Sequence, residues 1–240
     1  MMPPRVGEIG AIIVGLTVLL WASKKLSFWT VPIAVALGSM LIVLSRTRTA
    51  PLALLVGLLV AFIATSGRAS GRRGLTLLAT VALLAAPFFP QIMTWALRNQ
   101  DPAMIGKLSG RTTVWDFILS QEVSATTFWL GHGLGDKKVL LRRGEGDINV
   151  MAIDNSWLDA YWETGAIGVV FIVAVMIVAF IYVLRTPDAM TRMASTFLVV
   201  YVLVASINES GLCDLSSMTL LVLVAVTVSA IGRSRASPGP

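Results

Sequence analysis

The sequence predicts an all-α fold: a polytopic transmembrane helical bundle of about seven spans, with one long extracytoplasmic loop containing short helices. Three observations lead there. The chain has 240 residues, of which 56% are hydrophobic and 13% charged, and its mean hydropathy is +0.81. A soluble domain does not have this composition. Several apolar runs approach the ~20 residues that a helix needs to cross the hydrocarbon core. The runs are continuous rather than alternating, which excludes the strands of a membrane barrel. Helices then satisfy the backbone within lipid.

The predicted spans are 8–23, 28–45, 50–66, 74–97, 157–184, 193–207 and 216–231. The chain accordingly divides into four helices over 1–97, a loop over 98–156, three helices over 157–232, and a disordered cytoplasmic tail over 233–240. The first and sixth spans are short and call for tilt or local thinning of the bilayer. Trp21, Trp29 and Trp95 fall near span ends, as interfacial aromatics do. Lys24 and Lys25, then Arg68, Arg72 and Arg73, then Arg185 and Arg192, and finally Arg233 and Arg235 follow alternate spans. Basic loops are cytoplasmic. The expected topology is therefore a multi-pass protein of the cytoplasmic membrane, with its N-terminus outside and its C-terminus inside. The segment after the sixth span carries Glu209 and Asp214 and no Lys or Arg, which suits the outside. Within the long loop, 112–122 reads as an amphipathic helix lying on the membrane surface, and 144–147 as a turn.

Several function classes are excluded. One cysteine, Cys213, allows no intramolecular disulfide, and it reads as a small buried apolar residue. One histidine, His132, cannot build a multi-histidine metal site. The net charge of +6 is spread over membrane-edge loops. Topology therefore explains it, and no nucleic-acid partner is expected.

Four constellations carry chemistry. Arg46 and Arg48 lie in a short connection on the expected outer side, where positive charge is disfavoured. They either snorkel to lipid headgroups or hold an anion such as a lipid-linked phosphate, for which guanidinium forks are suited. Gly110-Arg111, with Thr112 or Thr113 as helix cap, puts Arg111 near a helix N-terminus, where its charge is not favoured. A bound phosphate would relieve that conflict. The other reading is an arginine paired with a loop carboxylate.

The third is Gly131-His132-Gly133-Leu134-Gly135. It lacks the strand–helix context of a dinucleotide loop. Its glycines allow a tight turn or a close approach of backbone to ligand, and His132 is either an ordinary surface residue or a group titrating near neutrality. The fourth is Asp154-Asn155, followed by Asp159, Glu163, Gly165 and Gly168. Asp154 either caps the following helix or takes a proton from an acceptor hydroxyl. It shares a helical face with Leu158 and Tyr161. Glu163 orders the site or pairs with an arginine. Gly165 and Gly168 let helices pack closely.

In this order the residues resemble the O-antigen ligase and O-antigen polymerase family of membrane glycosyltransferases. The resemblance rests on Ser45-Arg46-Thr47-Arg48 before a span, Gly110-Arg111 followed by Trp115, the Gly131-x-Gly133-x-Gly135 run, and Asp154-Asn155 followed by Glu163-x-Gly165. It covers roughly residues 28–230. It implies an all-helical enzyme taking a polyprenyl-diphosphate-linked glycan donor at the outer membrane face. The acceptor is a glycan, lipid or protein, and the surroundings are membrane lipids and other polysaccharide assembly proteins. By resemblance Arg46 or Arg48 binds the donor pyrophosphate and Arg111 assists. Asp154 is the catalytic base, and Asn155, Glu163, Gly131, Gly133, His132 and Trp115 contribute to substrate binding.

Two departures stand out. The family places histidine immediately before the asparagine, and here that position is Asp154. A carboxylate there also suits a divalent cation, and no other cofactor is implied. The family also carries about a dozen spans, so a shortened member or a C-terminal half needing a partner is expected. The alternatives are a non-catalytic subunit of a polysaccharide assembly complex and a membrane transporter. No internal repeat supports the transporter.

Overall fold

The structure is a computed structural model, and it describes residues 3–88, 90, 94, 111–135, 138–142, 148–212 and 214–236. Cys213, Gly110, the expected turn at 144–147 and most of the chain between 89 and 110 lie outside the described residues. Two compact units form. One comprises 1–87, 176–205 and 217–240, and the other 88–175 and 206–216.

The first unit contains α1 (Pro3–Ala22), α2 (Thr30–Ser45), α3 (Thr49–Ile63), α4 (Ala69–Ala85), α8 (Ala189–Ala205) and α9 (Ser217–Ala236), with the C-terminal part of α7 (Ser156–Leu184). Each apolar segment expected from the sequence contains a helix, with turns at several of the expected ends. Three helices are long and apolar enough to cross a membrane: Pro4–Ala22, Ser156–Leu184 and Ser217–Ser234. Thr30–Ser45, Thr49–Ile63 and Ala189–Ala205 are apolar but shorter. A 16-residue helix such as α2 is about 24 Å long, less than the ~30 Å hydrocarbon core. Of the expected disordered tail, 233–236 belong to α9, which runs to Ala236, and 237–240 lie outside the described residues.

Helix ends follow local chemistry. Lys24 takes a left-handed φ of 57°. Its N–H donates to Trp21 O at 2.8 Å, and the Lys25 N–H donates to Leu20 O at 2.9 Å. That bond pair closes α1 as a Schellman motif. Arginines on neighbouring segments satisfy other terminal carbonyls: Arg73 donates to Ala22 O at 3.2 Å and Arg233 to Tyr182 O at 2.7 Å. The Arg233 guanidinium also lies 4.0 Å from the Tyr182 ring centre. These cations thus neutralise the negative ends of helices.

Small residues set the packing of this unit. A Cβ on Gly10 would strike the backbone of Gly38, and a Cβ on Gly38 would strike Val14 and the Gly10 carbonyl. Helices α1 and α2 therefore touch backbone to backbone there, as membrane helices do where small residues face each other. Phe197 on α8 is fully buried, and its ring occupies the space left by Gly15 on α1 and Gly57 on α3.

The second unit contains α5 (Arg111–Ser120), α6 (Ala125–Leu130), strands β1 (Lys138–Arg142) and β2 (Ile148–Ala152), and the N-terminal part of α7. The strands pair antiparallel, with Lys138 opposite Ala152 and Arg142 opposite Ile148. This pair is an addition to the expected short helices. The helix expected at 112–122 corresponds to α5, and apolar residues of it have protein partners. Val114 and Ile118 of α5 pack with Val139, Ile153 and Trp162, with Trp115, Phe117, Leu158 and Tyr161 around them. The apolar face of α5 is consumed by a small core of its own unit.

Candidate functional site

The site is built on the first three turns of α7. The residue that caps this helix is Asn155, not Asp154. Asn155 Oδ1 accepts from the backbone N–H of Trp157 at 2.9 Å and of Leu158 at 3.1 Å, which satisfies two of the donors a helix start leaves open. Asp154 sits one residue earlier in a left-handed conformation, φ 44°. Aspartate tolerates that region better than most residues. It therefore does not share a helical face with Leu158 and Tyr161, as the sequence spacing implied.

Released from capping, the Asp154 carboxylate meets Arg111. Arg111 Nε donates to Asp154 Oδ2 at 3.3 Å. The side chains are 32% and 41% exposed, Arg111 and Asp154 respectively, so the pair is reachable and contributes at most about 1 kcal/mol to stability. Arg111 is the first residue of α5, so the helix begins before the anticipated caps Thr112 and Thr113. The carboxylate resolves the conflict of a cation at a helix N-terminus. Of the two readings of Arg111, the loop carboxylate is the partner found. Trp115, one turn along α5, donates its indole N–H to Ile153 O at 3.1 Å. That bond holds the residue directly before Asp154, so Trp115 positions the carboxylate.

Three turns along α7 the glycine-rich run is clasped. Gly165 interrupts the helix with φ 66° and ψ −166°. Such a break takes the carbonyls of the preceding turn away from their helical donors. The loop supplies replacements: His132 N–H donates to Trp162 O at 2.8 Å, and Gly133 N–H to Glu163 O at 3.1 Å. The Glu163 side chain is 2% exposed, and its Oε1 accepts from Gly135 N–H at 2.9 Å. Of its two expected roles, ordering the loop is the one seen. Gly131 and Gly165 complete the clasp. A Cβ on Gly131 would strike the backbone of Glu163 and Thr164, and one on Gly165 the backbone of Trp129 and Leu130. Gly168, by contrast, meets Thr164 of its own helix.

His132 is exposed and stacks on Trp162, ring centres 3.7 Å apart at 18°. Its Nδ1 lies 3.2 Å from Trp162 O. A carbonyl can only accept, so the neutral ring carries its proton on Nδ1 and leaves Nε2 as the acceptor.

A further strut is absent from the sequence expectations. Ser156 N–H donates to Ser206 O at 2.9 Å, Ser156 Oγ to Glu209 O at 2.7 Å, and Trp157 Nε1 to Ser206 Oγ at 3.1 Å. The polar run Ser206-Ile-Asn-Glu209 after an apolar segment was its sequence signal.

Arg46 and Arg48 belong to the first unit, and Arg111, His132, Asp154 and Glu163 to the second. Arg46 is exposed and closes α2 in a left-handed conformation, φ 52°. Arg48 precedes α3 at its N-cap position. The turn between them is braced by Ser45 Oγ, which donates to Ile42 O at 2.7 Å and lies 3.0 Å from Thr47 Oγ1. Among the described residues no group of three or more His, Cys, Asp or Glu gathers to hold a metal ion, and Asp154 faces a guanidinium.

No curated protein and no solved structure matches the chain. A family model described as O-Antigen ligase matches residues 33–173. The match covers more than half of the chain and takes in Arg46, Arg48 and Arg111, the glycine clasp and the start of α7. With its apolar helices, the chain is a multi-pass membrane protein belonging to the O-antigen ligase family.

Proposed function

We propose that the protein is a glycosyltransferase that moves a glycan from a polyprenyl-diphosphate-linked donor to an acceptor at the outer face of the cytoplasmic membrane. The family supports lipid-linked glycan chemistry in polysaccharide biosynthesis. The observation that carries the finer reading is the Arg111–Asp154 contact. Because Asn155 caps α7, Asp154 is not committed to holding the helix. Because the contact uses Arg111 Nε, the terminal nitrogens of the fork are not required for it.

In the proposed reaction Asp154 accepts the proton of the acceptor hydroxyl. The hydroxyl oxygen forms a bond to the anomeric carbon. The bond from that carbon to the pyrophosphate oxygen breaks, and its electron pair leaves with the pyrophosphate. Arg111 stabilises the charge that develops on this leaving group. Arg46 and Arg48 are the second set of phosphate-binding arginines. Trp115 and Glu163 position residues rather than react. The seven helical segments are read as seven crossings with the N-terminus outside. No step is assigned to a divalent cation.

The test is glycan transfer in native membranes supplied with polyprenyl-diphosphate-linked oligosaccharide. Asp154→Asn is expected to lower product by about 10²–10⁴-fold, the range for losing a general base, and Arg111→Ala by about 10²–10³-fold, the range for losing one donor that stabilises developing charge. Arg46→Ala with Arg48→Ala tests the donor contact separately. Wild-type product from correctly inserted Asp154→Asn would overturn the assignment of the base. Activity that appears only with a co-purifying membrane partner would favour the subunit reading.

A further inference from the structure

The residues 123–135 contain no Lys, Arg, Asp or Glu, and their apolar side chains are turned outward. Phe128 is 42% exposed, Trp129 53%, Leu130 59% and Leu134 82%. The two aromatic rings among them are held in place. Phe128 meets Tyr161 of α7 edge-on at 6.2 Å and Trp129 edge-on at 5.1 Å. The Gly131–Glu163 and Gly165–Trp129 approaches fix the backbone on either side. A rigid apolar surface without charge is costly in water and calls for an occupant.

Its place on α7 identifies that occupant. Helix α7 has 29 residues; nine precede Gly165, leaving 20, which rise about 30 Å. That length equals the hydrocarbon core. No charged residue occurs between Glu163 and Arg185. The membrane-crossing part of α7 therefore begins at the Gly165 kink, and beyond it Ile167, Val170 and Phe171 are 54%, 67% and 69% exposed, as lipid-facing residues are. The backbone of Trp129 and Leu130 lies against Gly165 itself. We infer that Trp129, Leu130 and Leu134 form a membrane-interface anchor that inserts into the headgroup–acyl boundary at the kink of α7. An indole at that level is the usual interfacial residue. The anchor is hydrophobic rather than electrostatic, since the segment carries no lysine or arginine to attract anionic lipid. It holds the clasp of Gly133 and Gly135 on Glu163 at a fixed depth.

The experiment uses the full chain in a Cys213→Ala background, reconstituted into phosphatidylcholine–phosphatidylglycerol vesicles. Single nitroxide labels are placed by Trp129→Cys and Leu134→Cys. Ser120→Cys on exposed α5 is the aqueous reference and Val170→Cys the bilayer reference. Collision with oxygen is compared with collision with a water-soluble nickel chelate. Labels at 129 and 134 are expected to fall between the references, with oxygen access exceeding nickel access and no change on raising salt. Leu134 lies on an open loop, so its label reports even where Trp129→Cys perturbs folding. Nickel access equal to that at position 120 would overturn the anchor. So would low access to both reagents with spin–spin broadening, which would mean that a second copy covers this surface.

Discussion

The two units are held together by different physics. In the helical unit the close contacts are apolar and steric: Gly10 against Gly38, and the Phe197 ring between Gly15 and Gly57. In the unit that carries the site they are polar and directional: Asn155 on the α7 N–H groups, Gly133 and Gly135 on Glu163, Arg111 on Asp154. Lipid is as apolar as leucine, so helices within it gain from shape and dispersion. Outside it, water competes for every polar group, so a hydrogen bond counts only where it is shielded or replaces a lost one. Glu163, shielded, holds a loop; the half-buried Arg111–Asp154 pair is partly open to solvent.

The contrast has a largest test in each unit. Phe197→Ala empties a filled slot and is expected to cost about 3–5 kcal/mol, read as a lower denaturation midpoint of the detergent-purified protein. An unchanged midpoint would mean that the glycine slots do not organise the bundle. Gly165→Ala forces a Cβ into the Trp129 backbone at positive φ and should cost about 3 kcal/mol. Gly133→Ala, at φ 110° with open space around it, should cost no more than about 2 kcal/mol. Equal effects at 165 and 133 would show that the clasp adds nothing beyond backbone strain.

Asn155→Ala should cost about 1 kcal/mol through loss of the α7 cap, with Asn155→Ser recovering most of it. A full loss of glycan transfer in Asn155→Ser at native stability would assign Asn155 to substrate instead.

The smallest effect concerns a polar cap in the helical unit. Asp188 Oδ2 accepts the Thr191 N–H at 2.7 Å. That bond holds its carboxyl below the ordinary value, with help from Arg68 and Lys25 against some burial. A depressed carboxyl stabilises the fold above its unfolded value near pH 4, and that contribution is lost as pH falls through the folded value. Stability of Asp188→Asn should therefore be less acid-sensitive below about pH 4, and Asp188→Ala should lose about 1 kcal/mol near neutrality. Unfolding midpoints at two pH values decide this.

The sequence by itself determined the apolar helical segments, the loop interrupting them and the order of the motifs. Each depends on composition and local spacing, and the family match rests on the same information. Tertiary structure alone decided which neighbour did what. Asp154 and Asn155 are adjacent and both are good caps, so spacing could not choose between them; Arg111, 43 positions away, draws Asp154 off and leaves Asn155 on the helix. The apolar stripe of α5 reads the same whether it meets lipid or protein, and only the fold shows that Val114 and Ile118 meet Val139, Ile153 and Trp162. Glu163 resembled any carboxylate near a membrane edge until the Gly165 break and the returning loop gave it a donor. Periodicity reports which face of an element is apolar or polar; only the folded chain supplies the partner that face meets.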